Sequence, residues 1–315
     1  MDEQEDINIT GIGNTPPKTA YLNETYPLVL TKLAGKKIAI SVSENEDLGG
    51  LGMSIQHIND ISIELARYII ANGGTTIYGG DLRQGGFTYY FSELARQYKI
   101  ANDDTFRFIN YFPFPNSKAI TQEVEIDFKA KQVKPQILPL PEKLKNIDIN
   151  KSYDPKNNLD DRLVFAECFR DMRIHMAKDC SARVVLGGKL SGYLGFIPGV
   201  IEEALTTLEQ SKPLYLIGGF GGATARLISL IKGEEAAELS NDYQYKTNFL
   251  KEYRRRSAEE YPWMDYQILK KQIRGFSIER LSCLNKLSIA ENEILFYSKN
   301  IHEILYLVIK GLKSI

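Results

Sequence analysis

The sequence predicts an α/β protein: a parallel sheet with helices on both faces, followed by a C-terminal helical appendage. Three observations carry this reading. Short apolar runs alternate with segments of helical periodicity, the alternation recurs along the chain, and a glycine-rich turn separates run from helix. Such alternation marks strands joined by crossover helices, the Rossmann-like arrangement. The composition suits it: 315 residues, 43% hydrophobic and 25% charged, are enough for a core of ordinary globular size.

Residues 1–35 show little periodicity and carry Gly and Pro punctuation, so they read as an N-terminal arm. "KKIAISVS" is the first strand and "ENEDLGGLG" its glycine loop. In the following "SIQHINDISIELARYIIANGG", Ile55, Ile58, Ile61 or Ser62, Leu65 and Ile69 fall at helical spacing, with Gly73 as the stop. "TTIYGGDLRQGG" and "FTYYFSELARQY" repeat strand, loop and helix, and "TFRFINYFPFP" is a third strand. Residues 117–158 are polar, Lys-rich and broken by prolines. They read as an inserted excursion outside the core, dispensable for folding of the sheet. The rhythm resumes with a helix whose stripe is Leu163, Cys168 or Phe169, Met172 and Met176. Two further strand–loop–helix units follow, "ARVVLGG" with "IPGVIEEALTTLEQ" and "KPLYLIGGFGG" with "ATARLISLIKG". The sheet domain, with its inserted excursion, is thus expected over residues 36–232 and the appendage over 233–315, where Ser288 and Glu291 have capping-box spacing.

Charge and cysteine use exclude several classes. The net charge of −1 offers no field for nucleic acid or an anionic membrane, so neither is expected as a partner. Cys168, Cys180 and Cys283 are scattered, which suits a reducing cytoplasm. "MDEQEDINITG" is acidic and polar, unlike a secretory signal, and no apolar run reaches bilayer length. No spacing of His, Cys, Asp or Glu calls for a metal, and no cofactor is expected; the helical tail suggests a homo-oligomer.

In open parallel sheets ligands bind beyond the carboxyl ends of the strands. Glycine turns there leave N–H groups unhindered and the next helix adds positive potential, which suits phosphate. The candidates are Gly49 and Gly50; Gly79, Gly80 and Gly85; Gly187, Gly188 and Gly199; and Gly218, Gly219, Gly221 and Gly222. Lys189, Arg83 and Asp81 stand in the loops as partners for a phosphate or a ribose, and Tyr193 and Phe196 as rings for a base. Each has a plainer reading as a solvated or loop-covering side chain. No loop has the full GxGxxG spacing and no GxxxxGK[ST] occurs, which disfavours a redox NAD enzyme and excludes a P-loop NTPase. Glu202 and Glu203 begin a helix just after Pro198-Gly199. They are either ordinary helix-start acids or carboxylates that hold a ribose and stabilise an oxocarbenium-like transition state.

Two blocks resemble the SLOG superfamily, which includes LOG-type phosphoribohydrolases, DprA-like proteins, the amino-terminal region of TRPM channels and nucleotide sensors of antiphage systems. "TTIYGGDLRQGGFTYYFSELA" is similar to the LOG strand–loop–helix, and "MRIHMAKDCSARVVLGG" with "PGVIEEAL" to the stretch ending in PGGxGTxxE. The closest flavour is the prokaryotic LSDAT-type branch. The resemblance implies a Rossmann-like pocket for a nucleotide-derived ligand of NAD or ADP-ribose type, in a sensor or processor of stress or antiphage signalling. It places Glu203 on the family's terminal glutamate, Glu202 beside it, Gly187 and Gly188 on the paired glycines, and Arg173 one position from the catalytic arginine. This chain departs from the pattern: "KLSGYLGFI" separates the glycines from Pro198-Gly199, and Leu186 replaces the proline before the pair. The pocket is therefore reshaped, and three readings stand: sensor, N-glycosidic hydrolase, or assembly protein with a vestigial pocket.

Overall fold

The computed structural model describes residues 32–80, 82–99 and 104–315; most of the expected arm, and Asp81, lie outside the described residues. The first half runs β1 (Lys37–Ser43), α1 (Ile55–Ala71), β2 (Thr75–Gly79), α2 (Phe87–Gln97), β3 (Phe108–Phe112), α3 (Gln122–Ala130) and β4 (Val133–Ile137). The second runs α4 (Leu159–Asp179), β5 (Ala182–Gly187), α5 (Gly199–Glu209), β6 (Leu214–Ile217) and α6 (Gly222–Ile231). The C-terminal helices are α7 (Asn241–Gln244), α8 (Asn248–Ser257), α9 (Tyr266–Arg274), α10 (Ile278–Asn285), α11 (Ile289–Tyr297) and α12 (Ile301–Lys313).

The six strands form one sheet in the order β4-β3-β2-β1-β5-β6, and every pairing is parallel. The chain winds outward from β1 to β4, returns through α4, and lays β5 on the other side of β1. This reversal makes the β1/β5 boundary the switch point of a doubly wound sheet. The central strands are apolar throughout because helices cover both faces: all six residues of β5 are buried. Alternate residues feed opposite cores. Ile38, Ile40, Val184 and Leu186 meet α1 and α12 on one face, and Val185, Leu214 and Leu216 meet α5, α6 and α9 on the other.

The expected helix stripe of α1 holds at Ile58, Ile61, Ser62, Leu65 and Ile69, all buried, whereas Ile55 in the first turn is exposed. Met172 and Met176 of α4 press on the end of β2, where a Cβ on Gly79 would lie 2.8 Å from Met172 Cε. The capping box forms: Glu291 accepts from Ser288 N at 2.9 Å, and Ser288 Oγ accepts from Glu291 N at 3.2 Å.

The excursion is the clearest correction. Residues 117–158 hold α3 and β4, and β4 is the sheet's edge strand, in register from Phe108↔Val133 to Phe112↔Ile137. Its sequence, "VKPQI", looks like a loop because an edge strand tolerates Lys and Pro that a central strand would not. Phe128 of α3 is buried and stacks on Phe112 at 6.2 Å. The C-terminal helices are likewise built into both cores. Asn285 donates to Leu214 O at 2.9 Å, satisfying an edge carbonyl of β6, and Tyr215 donates to Asn285 O at 3.0 Å.

Phe128→Ala should therefore lower unfolding free energy by about 3–5 kcal/mol, as expected for a buried Phe truncation. Urea denaturation followed by circular dichroism measures it. A loss under about 1 kcal/mol, well below that range, would return the excursion to a dispensable role.

Candidate functional site

Because all strands run the same way, the loops after β1, β2, β5 and β6 share one edge of the sheet. A crevice of about 210 Å³ opens there at the switch point, among Ser43, Glu44, Arg83, Gly86, Phe87 and Lys189. Gly85, with φ +71°, turns the β2–α2 segment back so that α2 points its N-terminus into the crevice. Gly86 caps α2 with no side-chain hydrogen bond, and no acid stands in the first turn. The positive end of the helix dipole is thus left for an anion. Lys189 adds a cation, paired with Glu44 at 2.9 Å. The hydrogen bond and charge of Lys189, with the more distant charge of Arg83, hold the Glu44 carboxyl below its ordinary value.

Two further anion positions at this edge are filled by the protein itself. The β1 loop presents "ENED", and each acid has a partner on a neighbouring loop. Glu46 accepts from Leu190 N at 3.3 Å, Ser191 N at 3.2 Å and Ser191 Oγ at 2.9 Å. Asp47 accepts from Gly222 N at 2.8 Å and pairs with Arg226, so a carboxylate sits at the N-terminus of α6 where a phosphate was expected. Arg226 also binds Glu238 at 2.6 Å.

The predicted glycines divide accordingly. Gly85 lines the crevice, whereas Gly50, Gly218, Gly219 and Gly221 line a separate hollow of about 550 Å³ beside Arg226. Gly49 is exposed and lines neither. Gly79, Gly80, Gly187, Gly188 and Gly222 serve packing, since a Cβ on any of them would press on neighbouring atoms of the fold. Gly187 and Gly188 have φ of +61° and +98°, and a Cβ on Gly187 would lie 2.5 Å from Ser43 O.

Glu202, Glu203 and Arg173 do come together, but inside the protein. Glu202 is 1% exposed and holds Arg170 at 3.0 Å and Arg173 at 2.5 Å. Glu203 accepts from Ser41 Oγ and, at 2.8 Å, from Arg183, a strand residue with no exposure. Arg183 Nε donates to Thr207 at 2.7 Å. Arg173 also closes over Gly199, where a Cβ would lie 2.6 Å from its Nη2. The space beside Glu202 is about 10 Å³, too small for a sugar. Arg170 and Arg183 escaped the sequence reading, yet Arg183 within "ARVVLG" was a signal: a guanidinium in a buried strand needs an internal acid. Among the described residues no group of three or more His, Cys, Asp or Glu is arranged to hold a metal, and no helix is long and apolar enough to cross a membrane.

Glu202→Gln should leave Arg170 without its carboxylate and Arg173 with only the more distant Glu203 at 3.7 Å, and cost about 3–5 kcal/mol of stability, the usual loss when one member of a buried pair is removed. Equilibrium unfolding in urea at neutral pH is the measurement. An unchanged midpoint would mean that the network does not hold the fold.

Searches of curated proteins and of solved structures find no match. A family model described as SLOG cluster2 matches residues 32–295, a span that includes the whole sheet and most of the C-terminal helices. On that coverage, together with the doubly wound parallel sheet and its loop-rimmed edge, the chain belongs to the SLOG superfamily.

Proposed function

We propose that the protein binds a nucleotide-derived anion of NAD or ADP-ribose type in the crevice at the β1/β5 switch point, and that it senses this ligand rather than hydrolysing it. The observation that carries the reading is the uncapped N-terminus of α2 facing a crevice rimmed by Arg83 and Lys189. A diphosphate needs this combination of helix-end N–H groups and cations. Tyr78 and Phe87 add aromatic surface for a base.

Against hydrolysis stands the state of the acids. A carboxylate that stabilises a ribosyl cation must face the sugar. Glu202 faces two arginines, and Glu203 faces Arg183 and Ser41. Membership of the LSDAT-type branch, a role in stress or antiphage signalling, residence in the cytoplasm and homo-oligomer formation through the C-terminal helices belong to the same proposal. They rest on the resemblance and the composition.

Titration calorimetry with ADP-ribose, paired with mass spectrometry of the mixture, tests the reading. The ligand should be recovered intact; free adenine in amounts exceeding the protein would establish the N-glycosidic hydrolase instead. Lys189→Ala should weaken ADP-ribose by about tenfold or more, the loss of one charge-assisted contact, and weaken a nucleoside far less. Equal losses for both would remove Lys189 from the phosphate role. Glu44 competes with the ligand for Lys189, so Glu44→Gln should tighten binding by about 1.5- to 5-fold, the worth of an exposed ion pair. The same tightening should appear in the wild type only as pH falls through the depressed pKa of Glu44, below the ordinary value of 4.5. At neutral pH the acid is ionised and the competition is complete.

A further inference from the structure

Away from the crevice, the β5–α5 loop and the C-terminal helices enclose a larger cavity of about 650 Å³. It lies within the size range of small-molecule sites. Its wall combines aromatic rings with cations. Phe196 and Tyr253 form a buried parallel stack at 6.2 Å behind it. Tyr193, Tyr243 and Phe249 stand in front, each partly exposed. Lys156, Arg162 and Lys246 are its charged lining, and among the described residues no acid lines it.

Arg162 is the decisive group. It is 7% exposed, lies over the Tyr253 ring at 4.8 Å, and donates from Nη2 to Tyr193 O at 2.7 Å. Its Nε is buried without a hydrogen-bond partner. Among the described residues no carboxylate pairs with it, unlike Arg170, Arg173 and Arg183 a short distance along the chain. A buried guanidinium without a counter-ion is costly, and this cost is relieved by an anion brought from outside. The rings supply faces for stacking on a flat ligand.

The cavity wall is also fixed in advance. Gln244 donates to Leu190 O at 2.8 Å and accepts from Tyr193 OH at 2.8 Å, tying α7 to the loop. Tyr253 donates to Gly195 O at 3.2 Å, tying α8 to it. A preorganised wall lowers the ordering cost of binding.

We propose that this cavity is a second binding site, separate from the crevice, for a small molecule that joins one planar aromatic ring to one anionic group, the chemistry of a nucleoside monophosphate. Arg162, with Lys246 and Lys156 at the rim, takes the anion, and the ring stacks on Phe249 and Tyr243. The proposal does not depend on the crevice being occupied.

The test is titration calorimetry of the whole chain with AMP and UMP, and with adenosine and inorganic phosphate as part-ligands. Both nucleotides should bind saturably, and each part-ligand about tenfold more weakly or worse, since each keeps only the stacking or only the charge-assisted bond. Phe249→Ala and Arg162→Gln should each weaken AMP by about tenfold or more, and Lys246→Gln by about two- to fivefold. Lys189→Ala removes the crevice's contribution to AMP binding, and in that background Phe249→Ala should still weaken AMP by about tenfold or more. Thermal unfolding is recorded for each variant. If Arg162→Gln does not fold, the partly exposed Phe249→Ala and the exposed Lys246→Gln decide. The proposal is overturned if neither nucleotide binds, or if AMP binding survives Phe249→Ala and Lys246→Gln unchanged. Loss of AMP through Lys189→Ala alone would also overturn it, while leaving the crevice reading in place. Loss of AMP through Phe249→Ala with ADP-ribose binding intact supports the second site by itself.

Discussion

The set of two carboxylates and three guanidiniums at the start of α5, of which Glu202, Arg173 and Arg183 are buried, is the constraint on which the loop-bearing edge of the sheet depends. Glu202 joins α5 to α4 through Arg170 and Arg173, and Glu203 joins it to β1 and β5 through Ser41 and Arg183. Four elements are thereby locked at one point. Removing these charges from water costs several kcal/mol per ion, so the arrangement persists only with every partner in place. Its product is position more than net stability. It fixes where α5 begins, and therefore where the loop from Gly188 to Pro198 must end.

That loop has to leave β5 under equal restraint. Gly187 and Gly188 both take positive φ, and neither has room for a side chain against β1 and α6. The glycines here serve backbone packing rather than the approach of a ligand. The loop they release is then gripped by the β1 loop, whose Glu46 collects the N–H groups of Leu190 and Ser191 while Asp47 takes the N-terminus of α6. The protein thus fills two anion positions with its own carboxylates and leaves the first turns of α1 and α2 without an acid.

The parts of this arrangement that were legible in the sequence are those with a local signal. Strand, glycine and helix recur because each crossover needs a tight exit and an apolar stripe, and Ile58, Ile61, Leu65 and Ile69 show the stripe directly. The Ser288–Glu291 capping box is equally local. β4 was not legible, because Lys134 and Pro135 are permitted only by an edge position that the sequence does not announce. The same holds for Ile55, apolar by pattern and exposed by its place in the first turn. At the site, the residue types were readable and their directions were not. Glu202 and Glu203 were visible as acids beside a glycine loop. Whether they face a ligand or an arginine depends on α4, whose Arg170 and Arg173 lie about thirty residues away, too far for local patterning to join them.

The contrast between Arg162 and the other arginines of α4 follows from geometry. Arg170 and Arg173 lie two to three turns further along α4, where the start of α5 supplies Glu202. Arg162, in the first turn, reaches the middle of the same loop, where among the described residues its side chain meets Tyr193 O and the rings of α8. One helix thus carries paired guanidiniums into the core and one unpaired guanidinium into a cavity. The loop from Gly188 to Pro198 lies between the two outcomes: Lys189 at its start faces the crevice, and Tyr193 at its middle faces the cavity. The start of the loop is held from both sides, by Glu46 on Leu190 N and by Gln244 on Leu190 O.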